Sequence, residues 1–107
     1  MISVNKNQEN KYCFKLKAIS GKVLLTSISF QDKKEASKNS NFFKKIGPKN
    51  LSFERKTNFE GKFLYNLKNE HGNLIGQSQL YSSEAGLENG ITNLKKTILS
   101  LSKKEIR

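Results

Sequence analysis

Apolar and polar residues alternate cleanly in two stretches, Lys11 to Ala18 and Lys62 to Asn69, and period-two alternation is the mark of a strand with one buried face. Each stretch runs into a turn, Ser20-Gly21 or His71-Gly72, and then into a second apolar stretch, Lys22 to Phe30 or Asn73 to Tyr81, read as a further strand. Shorter strands are predicted ahead of them at Ile2 to Lys6 and Leu51 to Thr57. The turns that join these to the alternating strands, Asn7-Gln8-Glu9-Asn10 and Asn58-Phe59-Glu60-Gly61, put Asn10 and Gly61 at the same position, and both residue types tolerate a positive φ. The period then changes. Leu87, Ile91, Leu94, Ile98 and Leu101 recur at intervals of four and three, the stripe of a helix that buries one face. A poorer stripe, Ala36, Ser40 and Phe43 with Phe42 and Ile46 beside it, predicts an earlier helix, capped by Asp32 with Glu35 three residues on and ended by Gly47-Pro48.

Sliding the sequence past itself by 51 positions aligns the two halves without a gap. Asn7 meets Asn58, Leu16-Lys17 meets Leu67-Lys68, Gly21 meets Gly72, Ser27 meets Ser78 and Lys44-Lys45 meets Lys95-Lys96. Similar pairs fill the intervals, among them Phe14 with Tyr65 and Phe30 with Tyr81. The expected architecture is therefore α+β: two tandem β-β-β-α repeats, residues 1–47 and 51–107, sharing one antiparallel-rich sheet with both helices on one face. The linker, 48–50, is too short to separate independent domains, and a lone copy would struggle to bury enough surface, so residues 1–107 are read as a single domain.

The aromatic strand Phe63-Leu64-Tyr65-Asn66-Leu67-Lys68, the turn glycine Gly72, then Ile75, Ser78 and Tyr81, and the helix Asn89-Gly90-Ile91-Thr92-Asn93-Leu94-Lys95-Lys96 together resemble the YegP-like family of small bacterial domains of unknown function, often present as tandem repeats. The first half keeps Ser20-Gly21 and Ser27 but has Asn39-Ser40 where the second has Gly90-Ile91. The resemblance implies two β-β-β-α units and brings no activity, cofactor or catalytic residue.

Strand parity divides the surfaces. Tyr12, Phe14 and Leu16 point one way, as do Phe63, Tyr65 and Leu67; Lys11, Lys15, Lys17, Lys62 and Lys68 point the other, with Cys13, Leu64 and Asn66. Two amphipathic helices covering the aromatic face leave an open sheet face studded with lysines. Net charge gives that face its interest: 20 basic against 9 acidic residues make +11, enough to attract anionic partners at long range. All but Arg55 and Arg107 of the basic residues are Lys, and Lys, unlike Arg, lacks the planar fork that reads phosphate or guanine in two-pronged fashion. The expected function is thus a non-enzymatic binding or accessory module, taking a protein partner at a sheet edge or on the lysine face. The alternative is weak, sequence-independent nucleic-acid binding through Lys15, Lys17 and Lys68. With the aromatics assigned to the helix side, base stacking on the sheet is disfavoured.

Other chemistry is sparse. His71 is the sole histidine and lies in a turn without the Cys, His or carboxylate neighbours of a metal site, so no metal and no cofactor are expected. Cys13 falls mid-strand as a small apolar filler, and a single Cys suits a reducing compartment. The sole Asp serves as a helix cap, and Gly86 and Gly90 lie inside a helix, where they are read as points of close approach to the sheet. Met1 to Lys6 has no apolar leader, and Val23-Leu24-Leu25 is the longest aliphatic run. These point to a cytoplasmic protein with no membrane association, a monomer in which the paired repeats act as an internal pseudo-dimer.

Overall fold

The computed structural model describes residues 2–46 and 50–106, without the side chains of 43, 44, 46 and 102–106. Its elements run β1 (Ile2–Lys6), β2 (Tyr12–Lys17), β3 (Val23–Ser27), α1 (Lys33–Ile46), β4 (Ser52–Thr57), β5 (Phe63–Lys68), β6 (Leu74–Gln77) and α2 (Glu84–Ile106). The six strands form one antiparallel sheet in the order β1-β2-β3-β6-β5-β4. The chain is α+β: both helices pack on the sheet and on each other, α1 over β1 and β2, α2 over β2, β3 and β5.

The alternation in β2 and β5 produces the core. Phe14, Leu16, Tyr65 and Leu67 are fully buried and pack with Leu87, Ile91, Leu94 and Ile98 from the stripe of α2. Ala36 and Ser40 of α1 are buried as well, whereas the Phe43 side chain and the expected stop at Gly47-Pro48 lie outside the described residues. The first turns adopt the expected backbone, with φ of 65° at Asn10 and 78° at Gly61. Asp32 caps α1 by accepting a 2.8 Å hydrogen bond from the Glu35 amide, and Ser83 does the same for α2 by accepting from Gly86 at 3.0 Å.

The third strands stop short of the expected ends at Phe30 and Tyr81. Ser27 and Ser78 are the cause. The Ser27 hydroxyl accepts the Phe14 amide at 2.9 Å, taking the place of a strand carbonyl, and the Ser78 hydroxyl accepts the Tyr65 amide at 2.9 Å. The ladder breaks there and closes again as single bridges, Tyr12 with Phe30 and Phe63 with Tyr81. Both third strands also carry an extra residue. Lys17 pairs with Val23 but Leu16 with Leu25, leaving Leu24 as a bulge, and Lys68 pairs with Leu74 but Leu67 with Gly76, leaving Ile75. The Leu24 bulge explains how Leu24 and Leu25, adjacent in sequence, are both buried.

Among the described residues the two three-stranded halves of the sheet are joined by the pairs Thr26 with Gln77 and Ser27 with Gly76 and, beyond the ladder, by a 3.0 Å bond from the Ile28 amide to the Ile75 carbonyl. The seam demands a residue without a side chain at 76. A Cβ there would sit 2.5 Å from the Thr26 carbonyl oxygen and 2.9 Å from the Ser27 Cα, both backbone atoms.

Candidate functional site

The face of the sheet turned away from the helices has no covering element among the described residues. Register defines its middle row: Ser3 on β1, Lys15 on β2, Thr26 on β3, Gln77 on β6, Asn66 on β5 and Glu54 on β4 are successive cross-strand partners. Half of that row is tied by side-chain bonds. Gln77 Nε2 donates to Asn66 Oδ1 at 2.9 Å, and Asn66 Nδ2 donates to Glu54 Oε1 at 3.2 Å. Lys68 Nζ lies 3.2 Å and Lys56 Nζ 3.7 Å from the same Glu54 oxygen. The hydrogen bonds from Asn66 and Lys68, followed by the charges of Lys56 and Lys68, hold the Glu54 carboxyl below its ordinary value.

These contacts sort the three lysines that strand parity put on this face. Lys15 and Lys17 stand together on β2, while Lys68 stands on β5, three strand spacings or about 14 Å across the sheet. Lys68 shares the Glu54 carboxylate with Lys56, so the β5 side of the face is partly neutralised. The face is also less bare than parity implied. Cys13, Leu64 and Asn66 are all buried although no helix lies over them. Glu54, Thr26 and Gln77 were missing from the sequence-based set because their place beside the lysines depends on strand order and register.

The helix side holds two further features. Tyr65 Oη donates to the Leu24 carbonyl at 2.5 Å, and its ring stacks with that of Tyr81 at 6.4 Å between centroids. Burial first, and then the neighbouring Tyr81 phenol, push the Tyr65 hydroxyl well above the ordinary phenol range, so it stays protonated. The Tyr81 hydroxyl is itself buried, has no hydrogen-bond partner among the described residues, and occupies the space where a Cβ on Gly90 would stand. The close approach that Gly90 permits is therefore to Tyr81, in the segment after β6. At the sequence offset of 51, Phe30 and Asn39 align with Tyr81 and Gly90, and beside them a cleft of about 520 Å³ opens between α1 and the β5–β6 turn. Phe14, Phe30 and Ile75 line its apolar part, and Lys38, Asn39 and Asn73 part of its polar rim.

Among the described residues, nucleophiles and acid–base groups do not gather into one site. His71 is exposed, with Nε2 3.8 Å from the Glu70 carboxylate. Cys13 is buried as a free thiol. Among the described residues no three His, Cys, Asp or Glu side chains gather where a metal ion could be held, and no helix is long and apolar enough to cross a membrane.

Comparison with known proteins places this geometry in a family. A family model described as a domain of unknown function, DUF1508, matches residues 60–102, which hold β5, β6 and most of α2. The chain is 35% identical over 92 residues to the UPF0339 protein YegP of Escherichia coli K12, covering 86% of this chain and 84% of that protein. The chain belongs to the UPF0339 family. A second UPF0339 relative, PA0329 of Pseudomonas aeruginosa PAO1, is 33% identical over 93 residues, covering 87% of this chain and 84% of its own. Two UPF0339 proteins solved by solution NMR share the fold. E. coli YegP superposes with a TM-score of 0.75 at 32% identity, over 91% of this chain and 84% of that one, and SO3888 of Shewanella oneidensis with 0.76 at 28%, over 92% and 83%. The UPF0339 assignment carries a fold and a bacterial kinship, and no activity or residue role.

Proposed function

We propose that this UPF0339 chain is a non-enzymatic binding module whose open sheet face docks an acidic protein partner through Lys15, Lys17 and Lys68. The observation that carries the reading is the face itself: a side of a six-stranded sheet without a covering layer among the described residues, basic on β2 and β5, with the Gln77 amide and the Thr26 hydroxyl between. Lysine ammonium groups supply attraction at range, and the Gln77 amide, held by Asn66, supplies directional bonds at contact. In this reading the chain is one domain of two tandem β-β-β-α repeats, 1–47 and 51–107, acting as a cytoplasmic monomer. Paired features of the two halves support it: the serine bonds to Phe14 and Tyr65, the bulges at Leu24 and Ile75, and the bridges at Phe30 and Tyr81.

Sequence-independent nucleic-acid binding at the same lysines is the second reading, favoured by the net charge of +11. Tyr12, Phe14, Phe63 and Tyr65 do not reside on that face, which removes base stacking and leaves only phosphate contact. The test is titration at low salt with a polyglutamate peptide and with single- and double-stranded DNA oligonucleotides. Each is measured against the native chain and the Lys15→Glu, Lys17→Glu, Lys68→Glu variant. Tighter peptide binding that the variant abolishes is the expected result. Tighter DNA binding selects the second reading, and equal binding by both forms of the protein removes this face from either role.

A further inference from the structure

The sheet has two edges, and they are built differently. In an antiparallel pair, a residue whose amide and carbonyl serve the strand on one side turns away from the strand on the other. Tyr12 exchanges both bonds with Phe30, and the Phe14 amide goes to Ser27, so on β2 these residues face β3. Their partners on β1 are Lys6 and Val4, followed by Ile2 opposite Leu16. The amides and carbonyls of Ile2, Val4 and Lys6 therefore point outward along the edge, and among the described residues nothing bonds to them. Between these positions Ser3 and Asn5 are spent on β2, and their side chains bond each other at 3.1 Å on the open face.

At the opposite edge β4 carries Glu54, Arg55 and Lys56 in succession, the dense charge that discourages strand pairing. Arg55 is clamped there by both Glu88 oxygens, at 2.5 and 2.8 Å, and Lys95 lies over the Phe53 ring at 5.3 Å. Edge β1 has no such guard among the described residues. Its helix-side residues Ile2 and Val4 are half-buried against the core, and only Lys6 is charged.

We propose that β1 takes an extended acidic segment of a partner protein as a seventh strand; this rests on the reading of the lysine face as a protein-docking surface. The alternation of the added strand follows from the pleat. Residues beside Ile2 and Val4 are apolar and extend the core past its present edge. Residues beside Ser3 and Asn5 are acidic, two strand spacings or about 9–10 Å from the Lys15 backbone, within the combined reach of a lysine and a glutamate. Helix α1, which packs on β1, has five lysines to one glutamate and adds to the field at that edge. A second copy of this chain is the poorer occupant, because two molecules of charge +11 repel.

The probe is a seven-residue peptide of alternating Glu and Val, set against the same peptide N-methylated at its Val amides or, separately, at its Glu amides, so that in one of the two the amides facing β1 are blocked. Amide hydrogen exchange of the full chain is followed by NMR at low salt. Saturating peptide slows exchange at Val4 and Lys6 roughly tenfold or more and leaves Ser3 and Asn5, already bonded to β2, unchanged; one N-methylated form loses the effect. The Val4→Pro variant removes an outward amide at a position where an edge strand tolerates proline, and it too loses the effect while keeping the native spectrum elsewhere. Peptide binding that neither N-methylated form weakens, with shifts centred on Lys15 and Lys17, overturns strand addition and leaves the face reading standing. No binding at all overturns both. Protection of Val4 and Lys6 that rises with protein concentration alone, or that a DNA oligonucleotide reproduces, also overturns the proposal.

Discussion

Replacing Gly90 by alanine sets two effects of opposite sign against each other. Alanine is the better helix former, and in the interior of α2 the change is worth about 1 kcal/mol of added stability. Against this, the new methyl group falls on the Tyr81 hydroxyl and within 2.7 Å of its Cζ, inside a core where Tyr81 stacks on the fully buried Tyr65. Forcing a methyl into a packed core costs about 1–3 kcal/mol, and an overlap this deep belongs at the upper end. The balance is a net loss of about 1–2 kcal/mol, read in urea unfolding as a lower midpoint at unchanged slope. Tyr81→Phe removes the hydroxyl, which is buried without a partner, so that change alone costs little, and in its background the Gly90→Ala penalty shrinks by about 1 kcal/mol or more. Gly86→Ala is the control, since its Cβ would come no closer than 3.2 Å to the Ser83 oxygen. A Gly90→Ala protein more stable than the native chain, or a Gly90→Ala penalty that Tyr81→Phe leaves unchanged, refutes the account of that contact.

Three further outcomes follow from the geometry. Ser27→Ala and Ser78→Ala each strand a buried strand amide, of Phe14 or Tyr65, and each lowers the free energy of unfolding by about 1–3 kcal/mol in denaturant titration. Gly76→Ala drives a methyl group into the backbone of β3, which cannot rotate away as a side chain would; the loss is about 3 kcal/mol or more, seen as a cooperative drop in melting temperature. The Arg55 hydrogen bonds, with the Arg55 and Lys95 charges behind them, hold the Glu88 carboxyl below its ordinary 4.5. A depressed carboxyl stabilises the fold above the unfolded-state value and loses that contribution as pH falls through the folded one, so Glu88→Gln is less stable than the native chain at neutral pH and the gap closes under acid titration.

Legibility from sequence followed the range of the interaction. The alternation of β2 and β5, the left-handed turn positions at Asn10 and Gly61, the Asp32 cap and the Leu87–Leu101 stripe are set by neighbours a few residues away, and the structure has all of them. The stops at Ser27 and Ser78 were harder, because a serine hydroxyl replaces a carbonyl only when the neighbouring strand offers its amide. Leu24 broke the alternation for the same reason: a bulge is a property of a strand pair, not of one strand. On the candidate face, parity brought Lys15, Lys17 and Lys68 to one side, but Glu54 joins Lys68 only through the β4–β5 register, and the Tyr81 hydroxyl meets Gly90 only once α2 is docked.

The narrow seam at Thr26 and Gly76 also sets an expectation for the order in which the sheet assembles. Strands β1 to β3 and β4 to β6 are meanders whose partners lie close along the chain, and hairpins of that kind form within about 1–10 μs. The β3–β6 pairing closes a loop of some fifty residues for the reward of two residue pairs and the Ile28–Ile75 bond, so its loop entropy is recovered only when the shared core closes over it. Each half is thus expected to reach the rate-limiting step as a meander, with the barrier in their meeting at a glycine.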